Sequence, residues 1–151
     1  VKLRRLWLTG CGFLRQMPIG LGNLTNLQRL DWFVAKQRSP RDVGRGLPEL
    51  DTLNNLEGEL SIIVKGRHCE SSAANLQMKE KLAALHLDFI SSIDESHEED
   101  HEEVLEGLQP HADLSELAIG GYKGKALPKW MMKNQLHCSL PNLVKIEVGP
   151  A

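Results

Sequence analysis

The sequence predicts an α/β solenoid, a horseshoe of short parallel strands on a concave face with irregular or helical segments returning along the convex side. Three observations point there. An apolar phrase of fixed spacing recurs along all 151 residues, and each occurrence ends in strand-like alternation. The composition, 41% apolar and 25% charged, suits a packed core and excludes wholesale disorder. The third is an exclusion: no apolar run approaches the roughly 20 residues of a membrane span.

The phrase first reads Leu3-x-x-Leu6-x-Leu8, followed by Cys11, Met17-Pro18, Leu21 and Leu24. It restarts 24 residues later as Leu27-x-x-Leu30-x-Trp32. With one residue inserted it returns as Leu53-x-x-Leu56-x-Gly58-x-Leu60-x-Ile62. Leu82-x-x-Leu85-x-Leu87, Leu114-x-x-Leu117-x-Ile119 and Leu143-x-x-Ile146-x-Val148 complete six units, the last three at intervals of 32 and 29. In each, the closing apolar residues alternate inward on a strand. The position after them turns the chain, and its side chain can satisfy backbone groups buried in the turn. Cys11 and Tyr122 hold that position in the first and fifth units. Together these features specify a leucine-rich-repeat solenoid of about six repeats spanning 1–151.

Irregular spacing predicts varied convex connections. A loop rich in Arg, Ser, Pro and Gly is expected near 36–46, and a second, acidic one near 91–103. Ala73, Ala74, Leu76, Met78, Lys79 and Glu80 favour a helix over Ser72 to Leu82. Another helix is expected from about Glu102 through Val104, Leu105 and Leu108, stopped by Pro110. Trp130, after Leu127-Pro128, reads as convex-side core. Val1 begins on a repeat and Ala151 follows one without polar caps, so the sequence reads as an uncapped piece of a longer chain.

The net charge of −2 conceals a split. Residues 1–50 hold nine Lys and Arg against three acids, whereas Asp94 to Glu103 contains seven acids and no Lys or Arg. Aromatics are only 5%, which argues against nucleic acid, where stacking side chains and a basic face are needed. Such bipolarity fits intramolecular or protein–protein docking. Cys11, Cys69 and Cys138 are odd in number and far apart, which favours a reducing compartment over disulfides. Asn23-Leu24-Thr25 forms a sequon, but Leu24 belongs to the repeat and such triplets are common by chance.

Catalytic motifs fail on inspection. His97-Glu98-Glu99-Asp100-His101 spells H-E-x-x-H, yet nothing apolar pins the segment, and a hydrated acidic loop is expected instead. A zinc metalloenzyme using His97 and His101 is therefore a remote alternative. Gly124-Lys125-Ala126 lacks the Ser or Thr that a phosphate loop needs, and no glycine stands five positions earlier. The chain reads as a non-enzyme with no metal or cofactor site of its own. What remains are outward strand residues: Arg4, Arg5 and Trp7 in the first unit, Arg29 and Asp31 in the second. Arg and Trp are favoured interface anchors, which makes these five the candidate partner-binding surface.

The sequence resembles the repeat region of plant coiled-coil nucleotide-binding leucine-rich-repeat disease-resistance proteins. The likeness is carried by Leu14-Arg15-Gln16-Met17-Pro18, Leu21-Gly22-Asn23-Leu24-Thr25-Asn26-Leu27, Leu53-Asn54-Asn55-Leu56-Glu57-Gly58-Glu59-Leu60 and Ala74-Asn75-Leu76. Most specific is Val104-Leu105-Glu106-Gly107-Leu108-Gln109-Pro110-His111, continued by Leu114, Leu117, Ile119, Gly121-Tyr122, Leu127-Pro128 and Trp130. Ala118 and Ala126 depart from the pattern without breaking it. The resemblance implies an intracellular, cytoplasmic immune receptor that recognises a pathogen effector directly or through a guarded host protein. It also implies an upstream nucleotide-binding domain, ADP-bound at rest and ATP-bound when active, which the repeats restrain. It assigns no residue of this sequence to nucleotide. The alternative is the ectodomain of a plant receptor kinase or receptor-like protein, which regular 24-residue spacing and paired capping cysteines would support and this sequence does not.

Overall fold

The computed structural model describes residues 2–8, 17, 20–37, 47–66, 71–90, 98–132 and 135–149. The strands among them are β1 (Arg5–Leu6), β2 (Arg29–Leu30), β3 (Trp32–Gln37), β4 (Gly58–Gly66), β5 (Leu82–Ile90), β6 (Glu116–Gly120) and β7 (Lys145–Gly149). β1 pairs with β2, and β3 to β7 form a five-stranded sheet in sequence order. Every pairing is parallel, so each strand is joined to its pairing partner by a crossover through the convex side. This is the architecture that the repeating phrase predicts.

The register turns the phrase into rows. Leu60, Leu85, Leu117 and Ile146 stand side by side, as do Phe33, Ile62, Leu87, Ile119 and Val148. The first four of the second row are essentially sealed, and with Leu27, Leu53, Leu56, Leu82 and Leu114 they form one continuous core. β7 pairs only with β6 among the described residues, and Ile146 and Val148 on it, with Val144 just before it, are exposed.

One expectation about that row is corrected. Trp32 is not the inward residue of the second unit. It lies half-buried in register with Ser61, and Phe33 takes the core position. Asp31 interrupts the strand between β2 and β3, and its carboxylate accepts the amides of Leu8 (2.7 Å) and Trp32 (2.9 Å). One extra residue reverses the alternation for everything after it. A similar irregularity falls where the third phrase carries its insertion: Gly58 pairs with Leu82 but Glu59 pairs with Ala84.

Two convex expectations also change. Ser72 to Leu82 is not an α-helix but two short 3₁₀ turns, Ser71–Ala74 and Leu76–Met78, with Leu82 already in β5. Asn75 breaks the run at φ 50°, in the left-handed region, and donates from its amide to Asp51 of the preceding repeat. Nine residues of strand must follow, which leaves no room for a longer helix. Conversely, the acidic segment is not all loop: Glu98 to Glu103 belong to helix α1 (Glu98–Gly107). Buried Val104, Leu105 and Leu108 anchor its far end. β3 likewise extends to Gln37, so Lys36 is strand, whereas 38–46 and 91–97 lie outside the described residues.

Successive repeats are stitched by polar side chains reaching one repeat back. Glu49, in the 3₁₀ turn Leu47–Leu50, accepts the amides of Gly20 (3.2 Å) and Gly22 (2.8 Å). Asn55 donates to the Thr25 carbonyl (2.8 Å), and Thr52 donates to the Gly22 carbonyl. Lys79 is fully buried and donates to Asn54 Oδ1 (3.0 Å) and the Ala74 carbonyl (3.2 Å). Burial lowers its pKa to about 8, against the pull of Asp51. Trp130 is buried as expected, donating from its indole to the Leu105 carbonyl (3.1 Å).

Candidate functional site

Because strand side chains alternate, each core row has an outward neighbour on the concave face. Glu59, Ala84, Glu116 and Lys145 make one such row, and Ser61, His86, Ala118 and Glu147 the next. A third contains Val34, Ile63, Asp88, Gly120 and Gly149. Its first two members are withdrawn from solvent, at 2% and 9% exposure, whereas Asp88 is exposed. The accessible part of this face therefore shifts toward β5–β7.

The N-terminal end brings most of the expected residues together. Arg5 and Arg29 stand directly opposite each other across β1 and β2, and the Arg4 carbonyl accepts the amides of Gln28 (2.7 Å) and Arg29 (2.9 Å). Like charges placed so are a local cost, and they leave a positive edge. Arg4 and Arg5 are exposed, and Trp7 is 62% exposed. Arg29 is partly compensated by Glu57, 3.7 Å away. Its guanidinium lies over Gly58, where a Cβ would meet Nη1 at 1.8 Å. Asp31 differs from the other four: its carboxylate is spent on the backbone of the β2–β3 break, so it shapes this end rather than offering a free acid.

The H-E-x-x-H segment has a structural part. His97 lies outside the described residues, and His101 sits on α1 with its ring 4.8 Å from Phe89. Its Nδ1 accepts the Lys123 amide (3.1 Å), while Glu102 accepts the Lys125 amide (2.7 Å) and Glu106 the Lys129 amide (2.8 Å). One helix face thus caps the turn 121–129. Tyr122, in the turn position expected for it, packs edge-on against Phe89 and donates to the Ala126 carbonyl. Burial and the nearby Glu102 and Glu106 raise its pKa to about 12. Among the described residues no three His, Cys, Asp or Glu side chains are grouped to hold a metal. Cys138 is exposed and free, while Cys11 and Cys69 lie outside the described residues.

A site the sequence reading missed opens between β5, β6 and β7. His86, Asp88 and Glu147 border a notch of about 230 Å³ whose floor is Ala118 and Gly120. The signal was present: H-x-D at alternate strand positions, followed one strand on by outward residues too small to fill the space.

Residues 47–149 match a family model of leucine-rich repeats, R13L1/DRL21. The chain belongs to that family. It is 38% identical over 89% of its length to the disease-resistance protein RGA1 of Solanum bulbocastanum, and 35% identical over 85% to disease resistance protein RGA2 of the same species. Disease resistance RPP13-like protein 4 of Arabidopsis thaliana is 30% identical over 97%. The chain spans 13 to 17% of the length of these three relatives. The resemblance read from the repeats is thereby borne out: this is a leucine-rich-repeat region of the plant disease-resistance type. No helix among the described residues is long and apolar enough to cross a membrane.

Proposed function

We propose that the chain is the recognition module of an intracellular plant immune receptor, non-enzymatic in itself, which contacts a pathogen effector or guarded host protein. The observation that carries this reading is a five-stranded parallel sheet in a family of disease-resistance repeats, with a concave face rich in exposed polar side chains. A rigid row of strands holds those side chains at fixed spacing, which is what partner discrimination requires. The positive N-terminal edge, Arg4, Arg5 and Arg29 with Trp7, docks on an acidic face of the upstream nucleotide-binding domain and holds it in its ADP state. ATP replaces ADP when that contact opens.

The test is charge reversal in the full-length receptor. Arg4→Glu with Arg5→Glu, both at exposed positions, is expected to trigger the defence response without a pathogen. Resting behaviour that stays silent, with the protein present at its normal level, counts against the restraint.

A further inference from the structure

We infer that the notch between β5 and β7 receives an arginine side chain from an extended polypeptide segment of the partner. This deepens the recognition reading above and rests on it. Neighbouring strands lie about 4.8 Å apart, so the β5 and β7 walls stand roughly 10 Å from each other across β6. Over that gap β6 offers only Ala118 and Gly120, which leaves the floor open to a long side chain lying flat. Asp88 borders it from β5 and Glu147 from β7, diagonally on adjacent outward rows, with His86 in register with Glu147 across Ala118. A planar guanidinium, with donors pointing to both sides, spans two such carboxylates in a way that a compact ammonium does not.

The charges are free to do this. The Asp88 carboxylate has no hydrogen-bond or ion-pair partner among the described residues. Glu147 is held only by Lys145 on its own strand, at 3.2 Å, with both side chains more than half exposed. An exposed pair of that kind contributes little and yields readily to a better-placed cation. Phosphate-bearing partners meet repulsion from Asp88 and Glu147, and a metal ion finds no three donors grouped among the described residues. At about 230 Å³ and open on one side, the notch is smaller than the pockets that enclose small organic ligands and suits a single side chain. The burial of Val34 and Ile63 closes the same outward row toward β3, so the segment lies over β5 to β7.

The experiment is fluorescence anisotropy on the intact receptor at low salt, with a labelled hexapeptide of alternating glycine and arginine. Saturable binding is expected, weakened at least tenfold by combining Asp88→Asn with Glu147→Gln, and likewise by Ala118→Leu, which fills the floor without changing charge. The isosteric citrulline peptide should bind at least tenfold more weakly. Equal binding of the citrulline peptide, or of the peptide to both variants, overturns the proposal. So does self-association that the charge variants abolish while the peptide fails to bind, because the occupant is then a second copy. The immune reading is scored separately. If pathogen-triggered signalling by the intact receptor persists while the peptide does not bind, only the arginine assignment falls.

Discussion

Glu49 shows most plainly how single residues hold this molecule together. Its carboxylate accepts two backbone amides from the preceding repeat, Gly20 and Gly22, in a crossing so close that a Cβ on Gly22 would sit 2.9 Å from Glu49 atoms. Glu49→Ala leaves those amides without their acceptor and is expected to cost about 1–3 kcal/mol in urea unfolding. Glu49→Gln should cost less. Lys79 and Tyr122 make a prediction about pH. Between about 8 and 10.5 the unfolded lysine is protonated and the folded one is not, so unfolding takes up a proton and stability rises with pH across that window. Tyr122 works oppositely: between 10 and about 12 the unfolded phenol has ionised and the folded one has not, so stability falls as pH rises. Unfolding followed from pH 7 to 12 should show the rise lost in Lys79→Met and the fall lost in Tyr122→Phe, each relative to the parent.

Among the elements, the strands were legible and the convex segments were not. A strand in a stacked sheet repeats the same row of neighbours, so period-two apolar phrases placed β4 to β7 directly. The second phrase misled by one residue because the side chain that breaks it, Asp31, bonds to a backbone amide of the preceding repeat, Leu8, 23 positions away. Helix propensity failed at Ser72 to Leu82 for a related reason: Asn75 is committed to Asp51, and β5 claims Leu82. It failed in the other direction at Glu98, where α1 is held through Glu102 and Glu106 by backbone amides more than twenty residues on. Glu102→Ala is therefore expected to speed hydrogen exchange at the Lys125 and Ala126 amides, with β4 unchanged. At Gly58 both the backbone, at φ +75°, and the overlying Arg29 require the absence of a side chain. Gly58→Ala should cost about 1–2 kcal/mol. Gly149→Ala, whose Cβ would meet nothing within 4 Å, should leave stability nearly unchanged.

At the scale of the whole molecule, the division of charge in the sequence becomes a division of surface. Positive side chains gather at β1 and β2, while the outward rows of β4 to β7 carry Glu59, Asp88, Glu116 and Glu147 with Lys65 and Lys145 among them. The candidate residues at the first end were readable because they sit in the repeat phrase itself. The notch was not, because it depends on what β6 lacks rather than on what it carries. In the function we propose, the two ends serve two different contacts, one restraining and one recognising, and both are tested in the full-length receptor. The most direct test is to read the open reading frame upstream of Val1. An in-frame G-x-x-x-x-G-K-[ST] loop several hundred residues earlier, whose backbone amides would cradle phosphate, is the predicted result. A signal peptide followed by a paired-cysteine cap, with no such loop, would contradict it.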